Sequence, residues 1–138
     1  MSAGLVTFVL GTREYATPLA SIREVVRLEG LADLPGMTPP LAGVLDLRGT
    51  ALPVLDLRTT AGSGERGDVL VMDGEESPVG VAVDKVRAVV DEGELGRGGA
   101  TGDELPSYVR EVLRGKSGPV FLVDLPEMVA SARAAAQR

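Results

Sequence analysis

The chain has 138 residues, 44% of them hydrophobic and 25% charged, with 18 Gly, 9 Pro, no Cys, no His, no Trp and a formal net charge of −6. A chain of this length buries roughly two thirds of its unfolded surface, enough for one globular domain with an aliphatic core and no disulfide or metal staple. The composition excludes Ser-His and Cys-His nucleophile pairs, imidazole or thiolate metal sites, a phospho-accepting His and a CxxC redox pair, and the scattered cations with 3% aromatics argue against nucleic acid.

No basic region precedes the first apolar run, and no run reaches membrane-spanning length, so the sequence predicts no signal peptide, no membrane insertion and a cytoplasmic protein. Gly and Pro make up about a fifth of the chain and punctuate short apolar runs, the sign of many strands joined by tight turns. Leu5 to Leu10 is the first predicted strand, Gly11-Thr12-Arg13-Glu14 a turn, and Tyr15 to Leu19 the second strand. Ile22 to Leu28 follows, then a connection through Pro35, Pro39 and Pro40.

From Gly43 to Arg58 the pattern has period 2: Leu45, Leu47, Leu55 and Leu57 alternate with Asp46, Arg48, Asp56 and Arg58. This predicts a hairpin. A two-residue loop at Gly49-Thr50 puts Leu55 on the face of Asp46, whereas a three-residue loop, Gly49-Thr50-Ala51, sets all four Leu on one face; the second is expected. Pro53 has no N–H to donate, so its strand should lie at an edge or carry a bulge.

A polar stretch, Thr59 to Gly67, leads to a second hairpin, Asp68 to Met72 and Val79 to Val83, across Gly74-Glu75-Glu76-Ser77. Val79, Val81 and Val83 share one face, and the other carries Gly80, Ala82 and Asp84, small enough for another backbone or a partner to approach. Val86, Val89 and Val90 continue the apolar signal before a Gly-rich loop from Glu92 to Gly102. Leu105, Tyr108, Val109, Val112 and Leu113 follow helical spacing. Pro119 to Val123 is a strand, after which Asp124 caps a helix with Pro126 in its first turn, Glu127 three residues on, and an apolar stripe of Leu125, Met128, Val129 and Ala132. Beyond Asp-Leu-Arg at 46–48 and again at 56–58, no internal repeat is visible.

The run Gly43-Val44-Leu45-Asp46-Leu47-Arg48-Gly49, continued by Leu52-Pro53-Val54-Leu55-Asp56-Leu57-Arg58, resembles the G-V-x-N-L-R-G-x-x-x-P-V-x-D-L-R signature of the CheW family of chemotaxis coupling proteins. Phe8 to Gly11 with Tyr15, Ile22 to Val26, Leu34-Pro35, and Val79 to Val86 resemble further family segments in the same order, from about Val6 to Val129. The resemblance implies an all-β fold, two packed five-stranded SH3-like barrels with a C-terminal helix, in a single coupling domain. It implies a non-enzymatic adaptor, without cofactor, metal or catalytic residue, that docks a chemoreceptor tip between the barrels and binds the regulatory domain of a CheA-type histidine kinase. The sequence departs from the pattern at Asp46, where Asn is usual, in the compact connection from Thr59 to Gly67, and at Tyr108 to Val112. For Tyr108 to Asp124 the resemblance implies a hairpin around Gly115 to Gly118, and this replaces the helical reading.

The resemblance places Ile22, Glu24, Gly43, Arg48, Val69, Val86 and Val89 at the receptor groove. Residue by residue, each also has a plain structural reading: Arg48 and Glu24 as solvated charges, Gly43 as a turn or bulge, and Ile22 and the valines as core. Arg is enriched at the centres of interfaces, which favours binding for Arg48. Leu31, Ala51 and Val54, apolar and near a hairpin tip or the loop after the Glu24-Val25-Val26 segment, are candidates for the kinase surface. Asp84-Lys85 as a catalytic pair and Asp46, Asp56 and Asp84 as a Mg²⁺ site are weaker readings, since no third polar group joins the first and two Arg share the hairpin face of the second. Competing functions are a small-molecule-binding or hydrolytic β-barrel using Asp, Lys and Tyr, and the same coupler serving a gliding, pilus or other chemosensory-like pathway.

Overall fold

β-Branched and aliphatic runs broken by tight turns form eleven strands among the described residues, which in this computed structural model are 3–58, 66–98 and 104–136. β1 (Gly4–Leu10) and β2 (Arg13–Pro18) pair across Gly11-Thr12, with Gly11 at a φ of 65° that suits glycine. β3 (Glu24–Arg27) comes next, then the hairpin β4 (Leu41–Leu47) and β5 (Thr50–Asp56), and the hairpin β6 (Asp68–Met72) and β7 (Val79–Val83). β8 (Lys85–Asp91) and the two-residue β9 (Gly96–Arg97) precede a last hairpin, β10 (Val109–Gly115) and β11 (Gly118–Val123), and the helix α1 (Leu125–Ala136).

The strands make two sheets, ordered β8-β1-β2-β11-β10-β9 and β3-β6-β7-β5-β4. Both follow one pairing scheme: an outer strand lies antiparallel to a hairpin, and the hairpin's second strand runs parallel to the second strand of another hairpin. The outer strands are exchanged. β3 follows the β1–β2 hairpin but joins the second sheet, and β8 follows β6–β7 but joins the first.

Each sheet curls shut. In the second, Ala32 and Val44 exchange two backbone hydrogen bonds of 2.9 Å, joining the chain beyond β3 to β4 at the opposite edge. Gly43 makes this seam possible, because a Cβ there would lie 2.6 Å from the Ala32 carbonyl oxygen and 2.8 Å from Leu31 Cγ. In the first, the chain leaving β8 returns as β9 along β10, and the Gly98 N–H donates to the Val112 carbonyl at 2.8 Å.

Three cores result. Leu28, Leu45, Leu52, Val54, Val69, Val71 and Ala82 fill the second barrel. Leu5, Ala16, Leu113 and Val120 fill the first. The largest lies between the sheets and under α1, where Val6, Phe8 and Leu10 meet Leu55, Leu70, Met72, Val81 and Val83, with Leu125, Met128 and Val129 from the helix. β6 therefore buries both faces, Val69 and Val71 toward one core and Leu70 and Met72 toward another, and such strands read as continuous apolar runs.

Most predicted strands and the capped helix stand, and Tyr108 to Asp124 contains the hairpin that the resemblance implied rather than a helix. The first long hairpin differs. Leu47 pairs with Thr50, so the loop is the two residues Arg48-Gly49, both with positive φ (50° and 86°) as a type I′ turn requires. The four Leu do not share a face, because Leu45 enters the second barrel's core whereas Leu55 enters the inter-sheet core. β5 lies inside its sheet and not at its edge; Pro53 is tolerated because the parallel pairing with β7 begins only at Val54. The face of Gly80 and Ala82 does admit a close neighbour, since a Cβ on Gly80 would lie 2.6 Å from Val69 Cγ1. Within the Gly-rich loop expected at Glu92 to Gly102, Glu92–Glu94 is a 3-10 turn and β9 follows; residues 99–102, and most of the predicted Thr59 to Gly67 connection, lie outside the described residues.

Asp124 Oδ1 accepts the Glu127 N–H at 3.0 Å and caps α1, and Arg110 bonds Asp124 at 3.0 Å and Glu127 at 2.7 Å. The Glu127 backbone bond, then Arg110, hold the Asp124 carboxyl below its ordinary range. Asp124→Ala should cost about 1 kcal/mol in urea unfolding. The carboxylate's contribution should be full above the ordinary Asp pKa and fade as pH falls through the lowered folded value, because the unfolded chain takes up the proton first. Gly43→Ala should cost about 1–3 kcal/mol by forcing the seam apart, whereas Gly30→Ala, with open space around it, should show only the strain of its φ of 73°.

Candidate functional site

Turn chemistry at Arg48-Gly49 and strand register at β3 meet at one end of the second barrel. Arg48 is a rare non-glycine residue with positive φ, and Gly49 completes the turn. Asp46 Oδ1 accepts the Gly49 N–H at 2.8 Å, which ties the turn back onto β4. From there the Arg48 guanidinium reaches across the barrel mouth to Glu24 in β3 with two bonds, Nη1 to Oε1 at 3.0 Å and Nη2 to Oε2 at 2.5 Å. The planar fork matches the carboxylate edge to edge. The Arg48 bond lowers the Glu24 pKa, and the Glu24 bond raises that of Arg48. The Arg48 side chain is 69% exposed and that of Glu24 33%, so the pair sits at the surface with the carboxylate the more covered partner. The pair therefore orders a surface and does little to hold the fold.

Beside Glu24, an apolar margin flanks the inter-sheet core. Ile22 and Val86 pack half-buried against that core. Val89 in β8 pairs with Val6 and is 62% exposed, and Val25 in β3 pairs with Leu70 and is 42% exposed. Since antiparallel partners share a face, both valines point to the side of the inter-sheet core and lie at its rim. β3 and β8, the exchanged strands, thus carry the two lips of one groove between the barrels. Their ends adjoin at Asp68, which pairs with Arg27 and accepts the Val86 N–H at 2.8 Å.

Not every sequence-derived site residue reaches this surface. Ile22, Val86 and Val89 lie along the margin of the inter-sheet core, whereas Glu24, whose partner Val71 belongs to the second barrel's core, sits on the other face of β3 and meets Arg48 at the barrel mouth. Val69 is 0% exposed inside the second barrel and offers a docked partner no surface, because β6 is covered on both sides. Gly43 is likewise buried, and its lack of a side chain serves the barrel seam rather than the width of a groove. Of the residues proposed for the kinase surface, Ala51 is exposed near the hairpin tip, Leu31 is half-buried against the second core, and Val54 is fully enclosed there. Val25 was missed by sequence reasoning, although its alternation with Glu24 and Val26 marks it as outward when Val26 faces in.

Asp84 has a structural engagement: its Oδ2 accepts the Gly11 N–H at 2.7 Å and stitches the start of β8 to the first turn. Asp56 binds Arg58, whose side chain is 7% exposed, with bonds of 2.9 and 3.0 Å. Among the described residues no three carboxylates gather as a metal site, and every buried side-chain polar atom has a partner.

The family model of the CheW-like domain matches residues 4–133. The chain belongs to this family. Relatives of the CheW-like chain include the chemotaxis protein CheW of Treponema pallidum (strain Nichols), 25% identical over 95 residues that span 62% of this chain and 56% of that protein. The chemotaxis protein CheW of Bacillus subtilis (strain 168) is 32% identical over 54 residues, 39% of this chain and 35% of its own length, and that of Helicobacter pylori (strain ATCC 700392 / 26695) is 36% identical over 55 residues, 40% and 33%. The matched stretches thus span less than two thirds of these relatives. The solved scaffolding protein TtCheW from Thermoanaerobacter tengcongensis superposes with a TM-score of 0.71 at 20% identity, covering 91% of this chain and 86% of that one. The CheW-like fold of two SH3-like barrels and a C-terminal helix is therefore the fold of this chain.

Asn accepts the left-handed conformation more readily than Arg. Arg48→Asn should keep the turn and leave the melting temperature unlowered. It should also release Glu24, whose carboxyl will titrate at higher pH than in the wild type when followed by NMR.

Proposed function

We propose that this CheW-like chain is a non-enzymatic adaptor that couples chemoreceptors to a CheA-type histidine kinase in bacterial chemotaxis signalling. The observation that carries this reading is the family match across residues 4–133, and the groove lends it a surface of suitable chemistry. In it, the receptor tip lays a helical face along Ile22, Val25, Val86 and Val89, and Arg48, held by Glu24, meets polar groups at the end of the groove. Gly43 and Val69 act on that surface from within, as seam and filler. Ala51 and Leu31 belong to the kinase-facing surface on the second barrel, with Val54 as support in the core against which Leu31 packs.

The adaptor works in the cytoplasm at membrane-associated receptor arrays; among the described residues no helix is long and apolar enough to cross a membrane. The two barrels act as one domain, a reading supported by their exchange of β3 and β8. Neither partner contact requires a reactive group, cofactor or metal of this chain.

Co-sedimentation with a receptor cytoplasmic fragment and the kinase, read alongside kinase autophosphorylation, tests the proposal. The wild type should join the complex and change autophosphorylation. Arg48→Glu and Val89→Glu should each lose receptor binding with little change in melting. Val69→Ala should instead lower stability by on the order of 2 kcal/mol while the folded fraction still binds. A wild type that joins neither partner sinks the coupling reading.

A further inference from the structure

The two barrels share a register as well as a strand order. In the second, Val71 of β6 pairs with Glu24 and with Gly80, and Gly80 runs beside Val54. In the first, Val9 of β1 pairs with Lys85 and with Glu14, and Glu14 runs beside Val120. Lys85 therefore stands in the first barrel where Glu24 stands in the second. The hairpins that supply the parallel strands both turn over two residues, Arg48-Gly49 in one and Lys116-Ser117 in the other. Lys116 thus opens its turn as Arg48 opens the other, on a hairpin whose turn stands two residues nearer the matched position, Val120 against Val54. These are the chain's two lysines. Where one barrel sets a carboxylate on its outer strand and a guanidinium at the facing turn, the other has an ammonium on the outer strand and another at the turn.

Further cations collect at the same end. Arg87 is the extra residue of a bulge in β8, where Phe8 pairs with Val86 and Thr7 with Ala88. Arg87, Arg114 and Lys116 line an open depression of about 640 Å³ with Thr7 and Ser117, and Arg13 and Arg87 line its neighbour, which shares Ser117. Glu14 and Glu94 also line the first depression. Even so, among the described residues no ion pair within 4.0 Å joins Arg13, Lys85, Arg87, Arg114 or Lys116 to a carboxylate. Six other arginines, at 23, 27, 48, 58, 97 and 110, each have such a partner.

We infer that this end of the first barrel is a docking surface for an acidic segment of a partner protein, whose carboxylates supply the counter-charge that Glu24 supplies within the second barrel. The net charge of −6 repels an extended polyanion such as nucleic acid, so a short carboxylate-bearing segment is the occupant the local field favours. Complementarity of this kind chiefly speeds encounter and rejects wrong partners. The surface itself stands on register and charge; only the partner's identity as an array component rests on the coupling function.

A fluorescent hexaglutamate peptide, followed by anisotropy, reads the surface without any receptor. The wild type should bind at low ionic strength and weaken as salt rises. Lys85→Glu/Lys116→Glu should weaken binding by roughly tenfold or more, whereas the charge-matched Arg23→Glu/Arg48→Glu should stay within about twofold, both variants melting as wild type. Equal loss in the two double variants, or none in either, overturns the inference. In a mixture with receptor fragment and kinase, carbodiimide coupling should join Lys85 or Lys116 to Asp or Glu of one of those proteins. Coupling only to a second copy of this chain overturns the choice of occupant. If the peptide discriminates the variants but the wild type co-sediments with neither receptor nor kinase, the coupling function fails and the acidic-segment surface stands.

Discussion

The exchange of β3 and β8 is the constraint on which the other features depend. A barrel whose outer strand comes from the other half of the chain cannot close by itself, so the two barrels, the core between them and the helix that covers it are coupled through backbone hydrogen bonds as well as apolar packing. The same exchange makes the groove. Its lips are the two crossing strands, and the residues that line it are Val25, Val86 and Val89, whose partners in the ladder already belong to the inter-sheet core, and Ile22, which packs against that core just before β3. The groove is thus the visible margin of the core rather than a separate feature, and its apolar character follows from that.

The two Asp-Leu-Arg triplets show how one pattern takes two physical meanings. At 46–48 the Asp accepts a turn N–H and the Arg, in a left-handed conformation, reaches Glu24 across open water. At 56–58 the Asp and Arg bind each other where the Arg side chain is almost enclosed, and burial changes the balance: removing Asp56 there takes the carboxylate from a nearly enclosed guanidinium. The first triplet lends itself to recognition, because breaking it exposes nothing buried. The second is scaffold.

Much of this was legible from the residues. Period-2 alternation located the strands, Asp124 and Glu127 located the start of the helix, and the ordered motifs gave the fold. What alternation could not give was the face of each residue, because it assumes one buried side. β5, β6 and β7 have two, so Leu45 and Leu55 part company, and Val54 and Val69, apolar and plausible as lining, prove to be enclosed. Register decided the rest. A two-residue turn at Arg48-Gly49 needs positive φ at an arginine, which local propensity disfavours, and tertiary pairing overrode it. The equivalence of the barrels was invisible because it resides in pairing: Glu24 matches Lys85 and Gly80 matches Glu14, and no sequence repeat survives.

Pairing across such distances also sets the order of events as the chain is made. Thr17 donates to the Val123 carbonyl across 106 residues, and β2 finds its parallel neighbour only in β11. The N-terminal hairpin emerges first, yet its outer partners, β8 and β11, come much later, so its two flanks hold unpaired N–H and C=O groups through most of synthesis. Parallel, non-local ladders of this kind form slowly. The newly made chain is therefore exposed to mispairing with its neighbours for longer than its modest size suggests, and how well it is shielded on leaving the ribosome bears directly on how much folded protein a cell can field.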